Sequence, residues 1–167
     1  MQTPCLSVWQ TVSRSRRLCA VLRVLSHAAA VGAGLTLVLT LWLVGREALF
    51  VAPLMLGVLG VGFCFVSVWR HAHPSSRPYE DHPALFVTPP REKEAHSFPS
   101  RHAFSAFAIG AAALAADPLL GLCMLAVALV QAVCRVLLGI HYIKDVAVGC
   151  AVGLAVGLVA GATCLLA

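Results

Sequence analysis

The chain has 167 residues, of which 60% are apolar and only 11% charged, and its mean hydropathy is +0.89. A soluble domain carries about 45–50% apolar residues, so the composition excludes an ordinary soluble protein and points to a membrane domain. The formal net charge of +5 is placed unevenly: Arg14, Arg16, Arg17 and Arg23 precede the first apolar stretch, and all but one of the other cations lie in 70–101 and 135–144.

In chain order, residues 1–27 form a basic leader. Arg23 leaves only Leu18 to Leu22 uninterrupted after Arg17, shorter than the apolar core of a signal peptide. The leader therefore reads as an amphipathic helix lying at the membrane interface, its arginines facing anionic lipid. The first apolar span follows over 28–45, and Arg46-Glu47 makes a tight turn into the second, 48–69, which ends on the interfacial aromatic Trp69. Residues 70–101 form one long polar loop with six Pro and four of the seven His.

A third span over 100–116 is long enough only if its helix starts near Ser100, since a crossing needs roughly 17–25 residues. Asp117-Pro118 breaks the chain before the fourth span, 119–139. A link over 140–144 leads to the fifth, 146–167. There Gly149, Gly153, Gly157 and Gly161 recur every four residues, which suits close helix packing. The expected fold is all-α: an integral membrane bundle of about five transmembrane helices, with residues 28–167 as one domain. Five of the seven Cys (64, 123, 134, 150 and 164) fall inside spans and read as small hydrophobes. Without a CxxC pair, neither a disulfide framework nor a metal site is expected.

Alternating direction puts Arg46 and Asp117 on one side of the membrane. The leader, the long loop and the 140–144 link fall on the other, so nearly all the ionisable chemistry converges on one face. Three segments there carry it. "RHAHPSSRP" holds Arg70 and Arg77, "PSRH" holds Ser100, Arg101 and His102, and "RVLLGIHYIKD" holds Arg135, His141 and Asp145. Guanidinium forks fit phosphate oxygens, and an ionisable residue inside a span, as Arg135 is, marks function. Ser100 is a good N-cap, so the helix mouth beside it offers N–H groups to an anion. A carboxylate four residues after an imidazole can fix its tautomer and leave the other ring nitrogen to attack. His102 is then available as a proton donor.

These segments resemble the signature of the type 2 phosphatidic acid phosphatase (PAP2) superfamily, which shares its site with vanadium haloperoxidases. The family pattern reads Lys-x6-Arg-Pro, then Pro-Ser-Gly-His, then Ser-Arg-x5-His-x3-Asp. Arg70 stands at the Lys position, and Arg77 and Pro78 match. Pro99, Ser100 and His102 match the second motif, with Arg101 in place of Gly. Arg135, His141 and Asp145 match the third, with Cys134 in place of Ser. The resemblance implies His141 as nucleophile, Asp145 as its partner and His102 as general acid. The phosphate would be held by Arg70, Arg77, Ser100 and Arg135, with Arg101 lending its backbone N–H, and no metal or cofactor is implied.

The expected activity is a membrane lipid phosphatase that acts on a phosphate monoester or diphosphate through a phosphohistidine. A non-catalytic phospholipid-binding scaffold and a small anion transporter are the alternatives. The expected partners are a phosphorylated lipid and the bilayer, with no nucleic acid. Phosphatidic acid, phosphatidylglycerol phosphate, undecaprenyl diphosphate and a lipid A phosphate all stay open as substrates. The expected location is the cytoplasmic membrane. The family resemblance implies a site opening on the extracytoplasmic side, whereas the leader arginines favour a cytoplasmic one. His71, His73, His82 and His96 lie outside the motifs and read as exposed loop residues, and Arg91 to Glu94 as a solvated loop.

Overall fold

A computed structural model describes residues 3–47, 49–86 and 96–166, and its named elements are all helices. They are α1 (Thr3–Arg14), α2 (Arg16–Glu47), α3 (Val51–Ala72), α4 (Pro78–Asp81), α5 (Arg101–Ala116), α6 (Pro118–Leu137) and α7 (Ile143–Ala162). Short 3-10 turns cover Pro83–Leu85 and Thr163–Leu166. The segment 91–94 falls outside the described residues.

Among the described residues, α2, α3, α6 and α7 are long and apolar enough to cross a membrane, and α5 is a shorter apolar helix of 16 residues. At 1.5 Å per residue α5 reaches about 24 Å, less than a hydrocarbon core of about 30 Å. Its position in the bundle accounts for the difference. Ala103, Phe104, Ala106, Ala108 and Ala111–Ala113 are all buried, so α5 is sheathed by protein rather than lipid. Small residues let its neighbours close in. A Cβ on Gly149, Gly153 or Gly157 of α7 would lie 2.6, 2.4 or 2.3 Å from the carbonyl oxygens of Ser100, Phe104 and Ala108. The four-residue glycine repeat is thus a groove for the α5 backbone. On the opposite flank Ala106 of α5 packs with Ala33 of α2 and with Met124 and Ala128 of α6.

Helix starts follow local chemistry. Ser100 Oγ accepts the Ala103 N–H at 3.5 Å and caps α5. Asp117 Oδ1 accepts the Leu120 N–H at 2.7 Å and caps α6, with Pro118 at the first helical position, where a missing N–H does no harm.

Three boundaries differ from the sequence expectation. Helix α2 begins at Arg16, not near residue 28, and runs on through Arg46 to Glu47. Its 32 residues span about 48 Å, more than a hydrocarbon core of about 30 Å. The last span starts at Ile143, which brings Lys144 and Asp145 into its first turn. The third difference concerns the leader. The described part of the leader, residues 3–27, is divided between α1 and the start of α2, and α1 packs on protein. Trp9 is 2% exposed, its indole N–H donates to the Val136 carbonyl at 2.8 Å, and its ring meets Phe86 and Tyr142. Ser13 Oγ donates to the Leu85 carbonyl at 2.6 Å. The apolar face that the sequence assigns to lipid is covered, at Trp9, by the polar loop and the end of α6.

Candidate active site

Four helix ends meet on one face of the bundle. Arg70 lies in the last turn of α3 and Arg135 in the last turn of α6, where the carbonyl ends of the helix dipoles favour cations. The N-termini of α5 and α7 bring Ser100 to His102 and His141 to Asp145. A backbone bond joins these two: the Ser100 N–H donates to the Asp145 carbonyl at 2.9 Å.

The turn after α6 sets the position of His141. The Gly139 N–H donates to the Val136 carbonyl and the Ile140 N–H to that of Arg135, at 2.9 and 3.1 Å. This pairing ends a helix through a left-handed residue, and Gly139 supplies it with φ +67°. The chain then doubles back, and the His141 N–H also reaches the Arg135 carbonyl, at 3.3 Å. Five residues between Arg and His are what this turn occupies. At the start of α7, Asp145 Oδ2 accepts the Tyr142 N–H at 2.9 Å, closing the first turn from its third position.

His141 and Asp145 are both buried, at 1% and 0% exposure. Nδ1 of His141 lies 3.8 Å from Asp145 Oδ2, too far for a direct hydrogen bond. Ser97 Oγ fills the interval: it is 3.2 Å from His141 Nδ1 and donates to Asp145 Oδ2. Burial pushes the His141 imidazole down to about pH 4, and the charges of Arg135 and Arg77 add to that against the pull of Asp145. The ring is therefore neutral at pH 7, as a nitrogen nucleophile must be.

The arginines divide by surroundings. Arg135 and Arg77 are 5% and 4% exposed, and both act on His141. Arg70, 6% exposed, gives hydrogen bonds to the carbonyls of His96, Ser97 and Pro99. Its fork thus clamps the 96–99 segment. Arg101 and His102, the first two residues of α5, are exposed. They line a cavity of about 440 Å³ whose other walls include Ala30, Ala33, Phe63 and Gln131. Arg101 has entered the helix, so replacing Gly there needs no left-handed backbone. Cys134 is buried in an apolar cluster with Val12 and Leu22, where a thiol serves as a hydrophobe.

The profile of the PAP2 superfamily matches residues 75–163, just over half of the chain. The chain belongs to the PAP2 superfamily. The matched stretch contains Arg77, the Pro99–His102 segment and Arg135 to Asp145, and it begins past Arg70. A solved PAP2 structure shares the fold. It is described as the crystal structure of the first transmembrane PAP2 type phosphatidylglycerolphosphate phosphatase from Bacillus subtilis. The alignment has a TM-score of 0.68 and 21% identity, and covers 95% of this chain and 83% of that one. No curated protein matches the sequence. The protein is thus a multi-pass membrane member of the superfamily.

Sequence reasoning did not single out Ser97. The signal available was its place three residues before Ser100 in "SFPSRH", which says nothing of what a hydroxyl there touches. Of the extra-motif histidines, His71 and His73 turn back to the carbonyls of Ser67 and Trp69, one helical turn earlier, and the rings of His71 and His96 lie 5.3 Å apart. Among the described residues no three His, Cys, Asp or Glu converge as metal ligands would.

Proposed function

We propose that the protein is a lipid phosphatase that cleaves a phosphate monoester or diphosphate ester at His141 through a phosphohistidine. The observation that carries this reading is the neutral, buried His141 imidazole with its Nδ1 edge turned to Ser97 and Asp145 and two guanidinium charges beside it. In the first step His141 Nε2 attacks the terminal phosphorus and its bond to the leaving oxygen breaks, which is the lipid alcohol oxygen in a monoester and the bridging oxygen of the remaining lipid phosphate in a diphosphate. His102 gives that oxygen a proton. In the second step His102 takes a proton from water, the water oxygen attacks phosphorus, and the P–N bond breaks to release phosphate and restore His141. Arg77 and Arg135 bind the phosphoryl oxygens together with the Ser100–Arg101 helix mouth, and Arg70 contributes through the segment it clamps. These groups supply the positive field that a phosphoryl group in transfer requires.

The 440 Å³ cavity supports a lipid over a soluble ester. Its walls are apolar toward α2 and α3, and Arg101 and His102 stand at its head, so a tail can stay in the bilayer while the headgroup meets cations. Because His141 is 1% exposed, substrate binding must displace side chains that cover it. The bilayer in this reading is the cytoplasmic membrane, and the site opens on the extracytoplasmic face, where phosphorylated carrier lipids are recycled. The test is phosphate release in detergent from phosphatidic acid, phosphatidylglycerol phosphate, undecaprenyl diphosphate and a lipid A phosphate. His141→Ala should lower the best of these activities by about a thousandfold or more, as loss of a covalent nucleophile does. Activity within tenfold of the parent would exclude the phosphohistidine, and no release from any lipid would favour a binding scaffold.

A further inference from the structure

We propose that Ser97 is the positioning residue through which Asp145 fixes the tautomer of His141. The proposal rests on the reading of His141 as nucleophile. Three observations make the case. The direct His141–Asp145 separation is 3.8 Å, so the carboxylate does not reach the ring. Ser97 is fully buried between them and touches both. It is also held from both sides: its N–H donates to the Ser75 carbonyl at 2.9 Å, and its own carbonyl accepts from Arg70 Nη1 at 3.2 Å.

The direction of the hydrogen bonds follows from the atoms. A carboxylate only accepts, so the single hydroxyl proton of Ser97 goes to Asp145 Oδ2. The Ser97 oxygen then has only lone pairs to offer the ring. His141 must meet it with an N–H, which puts the imidazole proton on Nδ1 and the free lone pair on Nε2. Asp145 makes Ser97 a better acceptor, and Ser97 passes that preference to the ring. The other charged groups acting on His141 are Arg135 and Arg77. As permanent cations they disfavour ring protonation. Arg70, through the Ser97 carbonyl, holds the serine in register, which links the first motif to the nucleophile.

The experiment uses the full-length protein in detergent. Ring ¹⁵N shifts of His141, assigned by their loss in His141→Gln, report the tautomer without any substrate. The parent should show the proton on Nδ1, and Ser97→Ala should move the population toward Nε2–H. Turnover of the best lipid substrate should fall in Ser97→Ala by at least about tenfold in kcat while KM stays within about threefold. A double-mutant cycle with Asp145→Asn separates positioning from packing. If Ser97 acts through Asp145, the loss from Ser97→Ala shrinks in the Asp145→Asn background, whereas a merely structural serine gives additive losses. A parent tautomer with the proton on Nε2, or an unchanged tautomer and kcat in Ser97→Ala, overturns the proposal. If His141→Gln is inactive in that case, the phosphatase reading stands without it. A tautomer shift in a protein that releases phosphate from no lipid upholds the Ser97 relay and overturns the reading of function.

Discussion

The carbonyl of Arg135 accepts the backbone N–H of His141 at 3.3 Å, so a guanidinium and an imidazole six residues apart in sequence share one turn of chain. Gly139 makes that turn possible. A Cβ there would face the left-handed penalty of about 1–2 kcal/mol and would lie 2.3 Å from Cζ of Phe86. Gly139→Ala should therefore displace His141 from the Arg135 carbonyl and lower kcat by at least about tenfold. Gly57→Ala is the control. A methyl at that helical position meets nothing within 4 Å, so it should keep activity and add a few tenths of a kcal/mol or more to stability, as Ala over Gly in a helix does. Thermal unfolding and initial rates in detergent measure both.

Acid should act on His141 at an unusually low pH. Its folded pKa is lowered from 6.5 to about 4, burial being the first cause. The neutral ring persists as pH falls, so the His141 limb of kcat/KM should descend near pH 4 rather than near 6.5. The stability effect has the matching sign. The unfolded chain takes up the proton near 6.5 and the folded one does not. The contribution is thus whole above about pH 6.5 and is lost as pH falls from there to about 4, by at most about 1.4 kcal/mol per pH unit. Arg135→Gln removes a charge that lowers this pKa and should move the titration upward, which the ring resonances of His141 follow directly. A titration of the parent at 6.5 would contradict the buried neutral ring.

Local chemistry explains what could be read in advance. Arg135, His141 and Asp145 are brought together by one helix end and one helix start, and both carry local signals: Leu-Gly after α6, and an acid at the third position of α7. Ser100 as an N-cap is local in the same sense. The glycine repeat of α7 marked a packed face, which proves to be the α5 backbone. Ser97 was not legible, because its contacts depend on the 96–99 segment meeting His141 and the first turn of α7, a tertiary event with no periodicity. The leader was only half legible. An amphipathic pattern shows that a face will be covered and does not say whether lipid or protein covers it, and here Trp9 finds Val136, Phe86 and Tyr142.

That packing gives α1 a measurable part in the site. Trp9→Phe keeps most of the ring area and removes the N–H bonded to Val136, which should destabilise by about 0.5–1.5 kcal/mol. Trp9→Ala should cost about 3–5 kcal/mol if the bundle cannot collapse into the space. Since Val136 adjoins Arg135 and Tyr142 adjoins His141, the Ala variant should lose turnover beyond the fraction that unfolds. Unfolding curves and specific activity on the same preparations would show this. A Trp9→Ala protein as stable and active as the parent would mean that α1 does not brace the loop.

Chelation and vanadate probe the source of the positive charge. With guanidinium groups supplying it, EDTA should leave turnover unchanged. Vanadate should inhibit competitively with phosphate, because it can adopt five-coordinate geometry at His141 Nε2, and His141→Ala should abolish that inhibition. Activity lost to EDTA and regained with a divalent ion would refute the arginine site.

The membrane face sets charge against function. By alternation of the spans, eleven of the twelve Lys and Arg fall on the site face, and a count of that kind puts the face inside the cell. Seven of those eleven fall in 70–101 and 135–144, the segments that hold the proposed phosphate site, so they do not vote on topology. The leader arginines are also weaker votes than they look, because Arg14, Arg16 and Arg17 flank the junction of α1 with α2, beside a helix that docks on the protein through Trp9. The proposed recycling of a phosphorylated carrier lipid calls for an extracytoplasmic site. Glu92→Cys in a background free of other Cys, treated on intact cells with a membrane-impermeant thiol reagent, decides between them. Labelling before lysis is expected. Labelling only after lysis would mean that the charge rule governs and that the site works on lipid in the cytoplasmic leaflet.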